Sequence, residues 1–197
     1  MKNMKIIIGI LLLAILLVGA YILYNKLAPM VGNSQLATDR AAPAQTNAAG
    51  DTEEPEKMPA FDFTVFDADG KEYKLSDFRG KPVVMNFWAT WCGFCKVEMP
   101  DFQEKYDKYG EEVHFLMINM TDGVRETVNK ASGYIEKEGF TFPVYYDVNM
   151  DVATAYQVNS LPITFFIDAE GNFVAHGQGA LSAEVLQKGI DMLLTEE

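Results

Sequence analysis

The segment from residue 59 to residue 197 carries apolar residues in the repeats that strands and helices require. Residues 83–88 and 113–119 are almost continuously apolar, which is typical of strands buried on both faces of a sheet. We predict a helix in the segment between them, after Cys95. A strand, a helix and a second buried strand in this order predict a parallel β-α-β unit.

Two pairs of short apolar runs flank turn-forming residues, as in β-hairpins. The first hairpin is predicted around Asp69 and Gly70, between the alternating runs 61–65 and 73–75. The second is predicted to join residues 163–167 to residues 172–175 through Asp168-Ala169-Glu170-Gly171.

The remaining apolar pattern predicts three helices and one strand. Thr121 or Asp122 is expected to cap a helix with Val124, Val128, Ala131 and Ile135 on one face. A strand is expected within residues 140–146, a short helix at 152–156, and a C-terminal helix from near Ser182 with Leu186, Ile190 and Leu193 on its inner face. These elements predict an α/β fold in which a central mixed sheet is flanked by helices, with an N-terminal hairpin and a strand-helix insertion.

Residues 6–24 form a 19-residue apolar stretch without a charge, preceded by Lys2 and Lys5 and followed by Lys26. As a helix, this stretch would span roughly 28 Å, close to the hydrocarbon thickness of a bilayer. Small residues at 18–20 also fit the cleavage site of a signal peptide, but the apolar run is longer than such peptides usually have. We therefore expect residues 1–30 to be an uncleaved, single-pass membrane anchor that leaves the rest of the chain on the extracytoplasmic side.

Residues 31–58 are rich in Ala, Pro, Thr, Asn and Gln and poor in large apolar side chains, so we expect a flexible linker there. Residues 59–197 then form one globular domain, which suits a chain of 197 residues of which 49% are hydrophobic. The net charge is −12, and the first 30 residues contain lysines but no acid, so the negative charge lies in the remainder. We therefore expect no nucleic-acid partner, because a phosphate-binding surface needs a basic excess.

Cys92 and Cys95 are the two cysteines of the chain, and Cys-x-x-Cys has three common uses. Zinc would need two further ligands, and covalent haem attachment would need a histidine at position 96, where a lysine stands. Thiol-disulfide exchange needs only a strand that ends at the motif and a helix that begins in it. The helix N-terminus would favour the thiolate of Cys92, whereas Cys95, one turn further in, would be shielded and react second.

Glu98 is our candidate for the group that exchanges protons with Cys95. It shares one helix face with Cys95, Phe102, Tyr106 and Tyr109, and burial on that apolar stripe would raise its pKa toward neutrality. The alternative is an exposed glutamate in the first helical turn that interacts only with the helix dipole.

The stretch Asn86-Phe87-Trp88-Ala89-Thr90-Trp91-Cys92-Gly93-Phe94-Cys95-Lys96 resembles the active site of thioredoxins. Pro100 matches the proline that kinks their helix, and Ser160-Leu161-Pro162-Ile163-Thr164 resembles their cis-proline loop. The N-terminal hairpin, the insertion and the anchor are similar to the membrane-tethered TlpA/ResA-like group, whose members also have a glutamate at the offset of Glu98.

The resemblance implies a thioredoxin-like fold for residues 59–197 and roles for the residues around the cysteines. Trp91, Gly93, Phe94, Leu161 and Pro162 are expected to contact substrate, with Pro162 in cis and the Leu161 backbone presented to an extended client. A trans proline that only begins a strand is the alternative. The chain departs from plain thioredoxin at three positions, Asn86, Phe94 and Ile163.

The expected function is that of an extracytoplasmic thiol-disulfide oxidoreductase that acts mainly as a reductant. We expect the protein to be a monomer. It would need no metal and no cofactor beyond the redox-active Cys92–Cys95 disulfide. By resemblance, electrons would come from a DsbD/CcdA-like membrane carrier, and apocytochrome c or a methionine sulfoxide reductase would be the client. A peroxiredoxin-like peroxidase would want a threonine where Ala89 stands, and a Sco-like copper-delivery protein would want Cys-x-x-x-Cys. An adaptor module without redox chemistry is a further alternative.

Overall fold

The computed structural model describes residues 16–19, 36–37 and 57–195. Two compact units divide the chain, one at Met1–Asn33 and one at Ser34–Glu197. In the first unit the described residues, 16–19, are helical. No helix within the described ranges has both the length and the apolar character needed to cross a bilayer, and most of the predicted anchor lies outside those ranges.

The second unit is built around one seven-stranded sheet with the strand order β2-β1-β5-β4-β3-β6-β7. The strands are β1 (Thr64–Phe66), β2 (Glu72–Lys74), β3 (Val83–Trp88), β4 (His114–Asn119), β5 (Val144–Tyr146), β6 (Ile163–Ile167) and β7 (Phe173–Gln178). The helices are α1 (Gly93–Tyr109), α2 (Val128–Glu138), α3 (Asp151–Ala155) and α4 (Ala183–Leu194), with a 3₁₀ helix at Leu75–Phe78.

The sheet is mixed, as predicted. Strand β3 pairs in parallel with β4 through α1, and β4 pairs in parallel with β5. The two predicted hairpins are both present as antiparallel pairs, β1 with β2 and β6 with β7. Strand β6 also pairs antiparallel with β3, so the strand that leads into the Cys-x-x-Cys motif is central and buried at every position.

Alternate side chains of β3 point to two separate apolar layers. Val84 and Trp88 belong to the layer that also contains buried residues of α1, α2 and α4, whereas Met85 and Phe87 face the 3₁₀ helix and α3. Both cysteines lie in the first layer. The redox motif therefore rests on a sheet that is packed on both sides.

Helix α2 begins later than the sequence indicates. Thr127, and not Thr121 or Asp122, is its N-cap, and its side chain accepts a hydrogen bond from the backbone N–H of Lys130. The expected capping residue Asp122 instead accepts backbone hydrogen bonds inside the preceding loop, which leaves Val124 86% exposed. The predicted cap was wrong because the Asp122 carboxylate takes its hydrogen bonds from backbone N–H groups of the loop, before the helix starts.

Two short segments that the sequence assigns to the linker or the domain boundary lie along the outer edge of β7. Ala37 forms an isolated antiparallel bridge with His176, and Leu36 packs against the apolar layer that contains the cysteines. Pro59 bridges Asn172, and the carbonyl of Met58 accepts a hydrogen bond from Phe173 N at 2.8 Å. The folded unit therefore uses residues that precede position 59.

Candidate active site

The two cysteines form a disulfide at the N-terminus of α1. Cys92 is the N-cap residue, and its sulfur accepts a hydrogen bond from the backbone N–H of Cys95 at 3.1 Å. Cys92 is 6% exposed and Cys95 is fully buried. A donor N–H and the helix dipole both stabilise negative charge at the first sulfur, so the position favours Cys92 as the thiolate in the reduced protein.

Exposed aromatic side chains flank this disulfide. Trp91 is 42% exposed and Phe94 is 68% exposed, and Gly93 between the cysteines is also exposed. The guanidinium group of Arg125 lies 4.0 Å from the centre of the Trp91 ring, which is a cation–π distance. These residues form an open apolar rim beside a shielded sulfur pair.

The loop before β6 supplies the remaining predicted contact residues. The peptide bond between Leu161 and Pro162 is cis, as predicted, and Pro162 is buried. Leu161 is half-buried and packs against the apolar layer that contains Cys92 and Cys95. The structure thus brings this loop and the Cys-x-x-Cys motif to the same layer, while their contact with substrate remains a prediction.

Glu98 is buried, with an exposed fraction of 1%, as expected for the apolar stripe of α1. Its two carboxyl oxygens each accept a hydrogen bond of 2.8 Å, one from the side-chain amide of Asn86 and one from the backbone N–H of Leu181. The same Asn86 amide donates to the hydroxyl of Thr164 at 3.0 Å. Side chains of β3 and β6 and the backbone before α4 therefore hold the carboxyl group in one place.

Burial raises the pKa of Glu98 to about 7 from its ordinary value of 4.5. The hydrogen bonds from Leu181 and Asn86 favour the carboxylate and lower the pKa, and the nearby charge of Asp101 raises it slightly, so desolvation is the dominant cause. A carboxyl group with a pKa near 7 accepts and releases protons at neutral pH. The alternative of an exposed first-turn glutamate is wrong.

Leu181 and Glu126 are neighbours of this site that the sequence did not indicate, and Thr164 was indicated only as part of the cis-proline loop. Leu181 contributes a backbone N–H, which any residue has, so no side-chain signal exists for it. Glu126 is fully buried and accepts hydrogen bonds from Thr90, two residues before Cys92. The one available hint for Glu126 was its place directly before Thr127, the N-cap of α2. The sequence did not reveal it, because the predicted helix already covered that stretch.

The two histidines lie on two different strands, His114 on β4 and His176 on β7. His114 packs edge-on against Phe78, and burial together with the charge of Lys81 lowers its pKa. His176 lies in β7 and pairs with Phe165. Across residues 16–19, 36–37 and 57–195, no group of three or more His, Cys, Asp or Glu side chains is arranged to hold a metal ion.

A mixed sheet, a Cys-x-x-Cys disulfide at a helix N-terminus and a neighbouring cis-proline loop define a thioredoxin-like thiol-disulfide exchange protein. Residues 56–176 match the AhpC/TSA family, which is more than half of the chain. The thiol-disulfide oxidoreductase ResA of Geobacillus kaustophilus is 37% identical over 133 residues, 67% of this chain and 74% of that protein.

ResA of Bacillus subtilis is 30% identical over 186 residues, which cover 94% of this chain and 90% of that protein. Among solved structures, the exposed lipoprotein thioredoxin Etrx1 of Streptococcus pneumoniae is 30% identical with a TM-score of 0.58, over 66% of this chain and 99% of that one. The chain belongs to the family of ResA thiol-disulfide oxidoreductases. Its activity is thiol-disulfide exchange at the Cys-x-x-Cys pair.

Proposed function

We propose that the protein reduces disulfide bonds of other proteins on the extracytoplasmic side of a membrane, with residues 1–30 as its anchor. The observation that supports the catalytic part is the unequal placement of the two sulfurs. Cys92 lies at the rim, whereas Cys95 is fully buried three residues before a carboxyl group whose pKa is about 7. This arrangement suits one sulfur that attacks and a second that resolves.

In the first step, the Cys92 thiolate attacks one sulfur of the client disulfide. A bond forms between Cys92 Sγ and that sulfur, the client S–S bond breaks, and the second client sulfur leaves as a thiolate. The exposed Trp91 and Phe94 side chains and the Leu161 backbone would hold the client segment during this step. This exchange produces a mixed disulfide between Cys92 and the client, and the reacting pair as a whole gains or loses no electrons.

In the second step, Glu98 accepts the proton of the Cys95 thiol, and the resulting thiolate attacks Cys92 Sγ. The mixed disulfide breaks, the first client sulfur leaves as a thiolate, and the Cys92–Cys95 disulfide forms. The client has gained two electrons and the enzyme has lost them. The two released client thiolates take up one proton from Glu98 and one from solvent, which received the Cys92 proton when that thiolate formed. The oxidised product is the state that the structure describes.

Oxidised enzyme must then be reduced again, and we infer a DsbD/CcdA-like membrane carrier as the electron donor. Apocytochrome c and a methionine sulfoxide reductase are the two clients that fit a ResA-family reductant. The relatives named ResA support the thiol-disulfide activity, and their names do not identify either client.

A matched pair of variants tests the order of attack. Cys95→Ser should accumulate a stable mixed disulfide with a model disulfide protein such as insulin, because the resolving sulfur is missing. Cys92→Ser should form far less of it, because the remaining sulfur is buried. If Cys92→Ser traps as much as Cys95→Ser, or if purified protein consumes peroxide but does not reduce insulin, the proposed mechanism is wrong.

Membrane placement needs a separate measurement. In cells, the full chain should fractionate with membranes, and external protease should digest its C-terminal domain only where the outer face of the membrane is accessible. Recovery of the intact protein in the soluble cytoplasmic fraction would contradict this part of the proposal without affecting the redox chemistry.

A further inference from the structure

Glu126 is a buried carboxylate outside the Glu98 network. It is fully buried in the loop between β4 and α2. One oxygen accepts hydrogen bonds from the backbone N–H of Thr90 and the side-chain amide of Asn119, each at 2.8 Å, and the other accepts from the Thr90 hydroxyl at 2.6 Å. Two of its three hydrogen bonds therefore go to a single residue of the active-site turn.

The loop that carries Glu126 is held by its own hydrogen bonds. One oxygen of Asp122 accepts from the backbone N–H groups of Val124, Arg125 and Glu126 at 2.8, 2.7 and 2.9 Å. The backbone N–H of Gly123 donates to the carbonyl of Glu126 at 2.9 Å. This closed loop directs the Glu126 side chain inward and leaves Arg125 on the surface, over the Trp91 ring.

Asn119 fixes the other side of the carboxylate. It is the last residue of β4 and fully buried, and its side-chain oxygen accepts a hydrogen bond from the Thr121 hydroxyl at 2.8 Å. This bond leaves the amide nitrogen of Asn119 directed at Glu126. The Glu126 carboxyl group, which accepts the hydrogen bonds from Thr90, is thus held in place by a residue of the central sheet.

Thr90 lies in the middle of the turn that presents the first cysteine. The backbone N–H of Cys92 donates to the carbonyl of Ala89 at 3.1 Å, which closes the chain around Thr90 and Trp91. Ala89 itself is fully buried after the end of β3. Because only Thr90 and Trp91 separate Ala89 from Cys92, a shift of Thr90 would displace the backbone of Cys92.

We propose that Glu126 is a positioning residue for thiol-disulfide exchange, which holds the Thr90 turn so that Cys92 is aligned for attack. This inference rests on the proposed function, in which Cys92 makes the first attack. All three hydrogen bonds to Glu126 come from neutral donors of the sheet and the turn, so the carboxylate acts here as an acceptor and not as half of an ion pair. Small displacements of a nucleophile have large kinetic effects, so a residue with this role affects rate beyond its effect on stability.

The experiment uses the full-length protein in the Cys95→Ser background, where only the first attack occurs. We expect Glu126→Ala to slow the reaction of Cys92 with a model disulfide by about 10- to 100-fold, since all three hydrogen bonds to the buried side chain are lost. Glu126→Gln keeps one acceptor oxygen and nearly the same shape, and should stay within about threefold of the parent. Thr90→Val removes the hydroxyl but keeps the backbone N–H, and should slow the attack by an intermediate factor.

A control separates positioning from loss of stability. Gly189→Ala alters packing between α4 and β6, far along the chain from the turn, and should lower stability without slowing the attack. Equal slowing by Gly189→Ala and Glu126→Ala, or an unchanged rate in Glu126→Ala, would overturn the inference. If Glu126→Ala does not fold, the test rests on Thr90→Val. An unchanged rate of attack in Thr90→Val would then overturn the inference.

Failure of the proposed function gives a different result. In that case Cys92→Ser, with Cys95 and Glu126 both intact, would retain the first attack, whatever the Glu126 variants show. Loss of attack in Cys92→Ser together with a parental rate in Glu126→Ala and Thr90→Val would refute only the positioning role.

Discussion

The backbone N–H of Leu181 donates a 2.8 Å hydrogen bond to the Glu98 carboxyl group from 83 residues further along the chain. Glu98 lies in α1, three residues after Cys95, and Leu181 lies just before α4. The contact ties the helix that carries the cysteines to the C-terminal part of the domain. The carboxyl group is buried, and the Leu181 N–H supplies a hydrogen bond to one of its two oxygens. The group can therefore exist either as a carboxylate or as a carboxylic acid.

Replacement of Glu98 by glutamine should slow the second step of exchange. The amide has nearly the same volume but cannot accept the Cys95 proton, and loss of a positioned base typically costs about 10² to 10⁴ in rate. Stopped-flow measurement of client release from the mixed disulfide tests this, with the initial attack by Cys92 expected to be unchanged.

The pH profile gives the specific signature of Glu98. In the parent protein, the rate of resolution should rise with pH through about 7, because only the carboxylate accepts a proton. The profile of Glu98→Gln should be flatter. The matched control is Glu104→Gln, a change on the same helix in a side chain that is 69% exposed. Superimposable profiles for the parent and Glu98→Gln would show that Glu98 is not the proton carrier.

Stability should fall as the pH rises through the range in which Glu98 ionises. The unfolded chain loses this proton near 4.5 and the folded protein near 7, so between these values the folded state binds more protons and is progressively destabilised. The shift corresponds to roughly 3 kcal/mol of lost unfolding free energy above pH 7 relative to pH 4. Urea unfolding of the oxidised protein from pH 4 to pH 8 measures it.

The same titration of Glu98→Gln isolates the contribution of one group. The pH-dependent loss assigned to Glu98 should be absent, and other ionisable groups should leave a common background in both proteins. If the two curves have the same slope between pH 4.5 and pH 7, the carboxyl group does not have the raised pKa.

The two thiols of the reduced protein should differ strongly in reactivity. We expect Cys92 in Cys95→Ser to react with iodoacetamide at least about tenfold faster than Cys95 in Cys92→Ser. Cys92 is the N-cap of α1 and keeps a small exposed fraction of 6%, whereas Cys95 is fully buried. Mass spectrometry of the time course measures both rates. Faster modification of Cys95 would reverse the two roles.

Gly189 should be intolerant of a side chain. A Cβ atom there would overlap two ring atoms of Phe166, which is fully buried in β6. Gly189→Ala should therefore lower the unfolding free energy by about 1 to 3 kcal/mol, as overpacking typically does. Gly133 in α2 is the matched control, because a Cβ there meets nothing within 4 Å and alanine favours the helix. Equal effects of the two changes on urea unfolding would contradict this packing argument.

Strands and helices with a strong apolar pattern were predictable within a residue or two. The strand predicted at residues 83–88 is β3, because a continuous apolar run suits only a strand covered on both faces. The helix predicted to begin near Ser182 is α4, and Ser182 is its N-cap, with a hydroxyl that accepts a hydrogen bond from Val185 N. In these places the local preference and the packing of the whole domain agree.

The loop before α2 shows where the sequence is insufficient. The predicted helix face treated Val124 as buried, yet the Asp122 carboxylate binds three consecutive backbone N–H groups and the helix starts only at Val128. Periodicity cannot report this competition between a side chain and helical hydrogen bonding. Burial of Glu98 was predictable from helix spacing, whereas its hydrogen bond with Leu181 depends on the tertiary fold.

The bridge between Ala37 and His176 bears on how the domain can be produced without its N-terminal apolar stretch. A protein that begins at Pro59, the boundary expected from the pattern, would lack Leu36, Ala37 and the Met58 carbonyl that all lie along β7. The outer edge of that strand would then offer free backbone groups to a neighbouring molecule, a common route to self-association. Truncation just before Ser34 keeps the residues that pair with the edge of β7. The resulting protein is therefore better suited to crystallisation and kinetics than one that begins at Pro59.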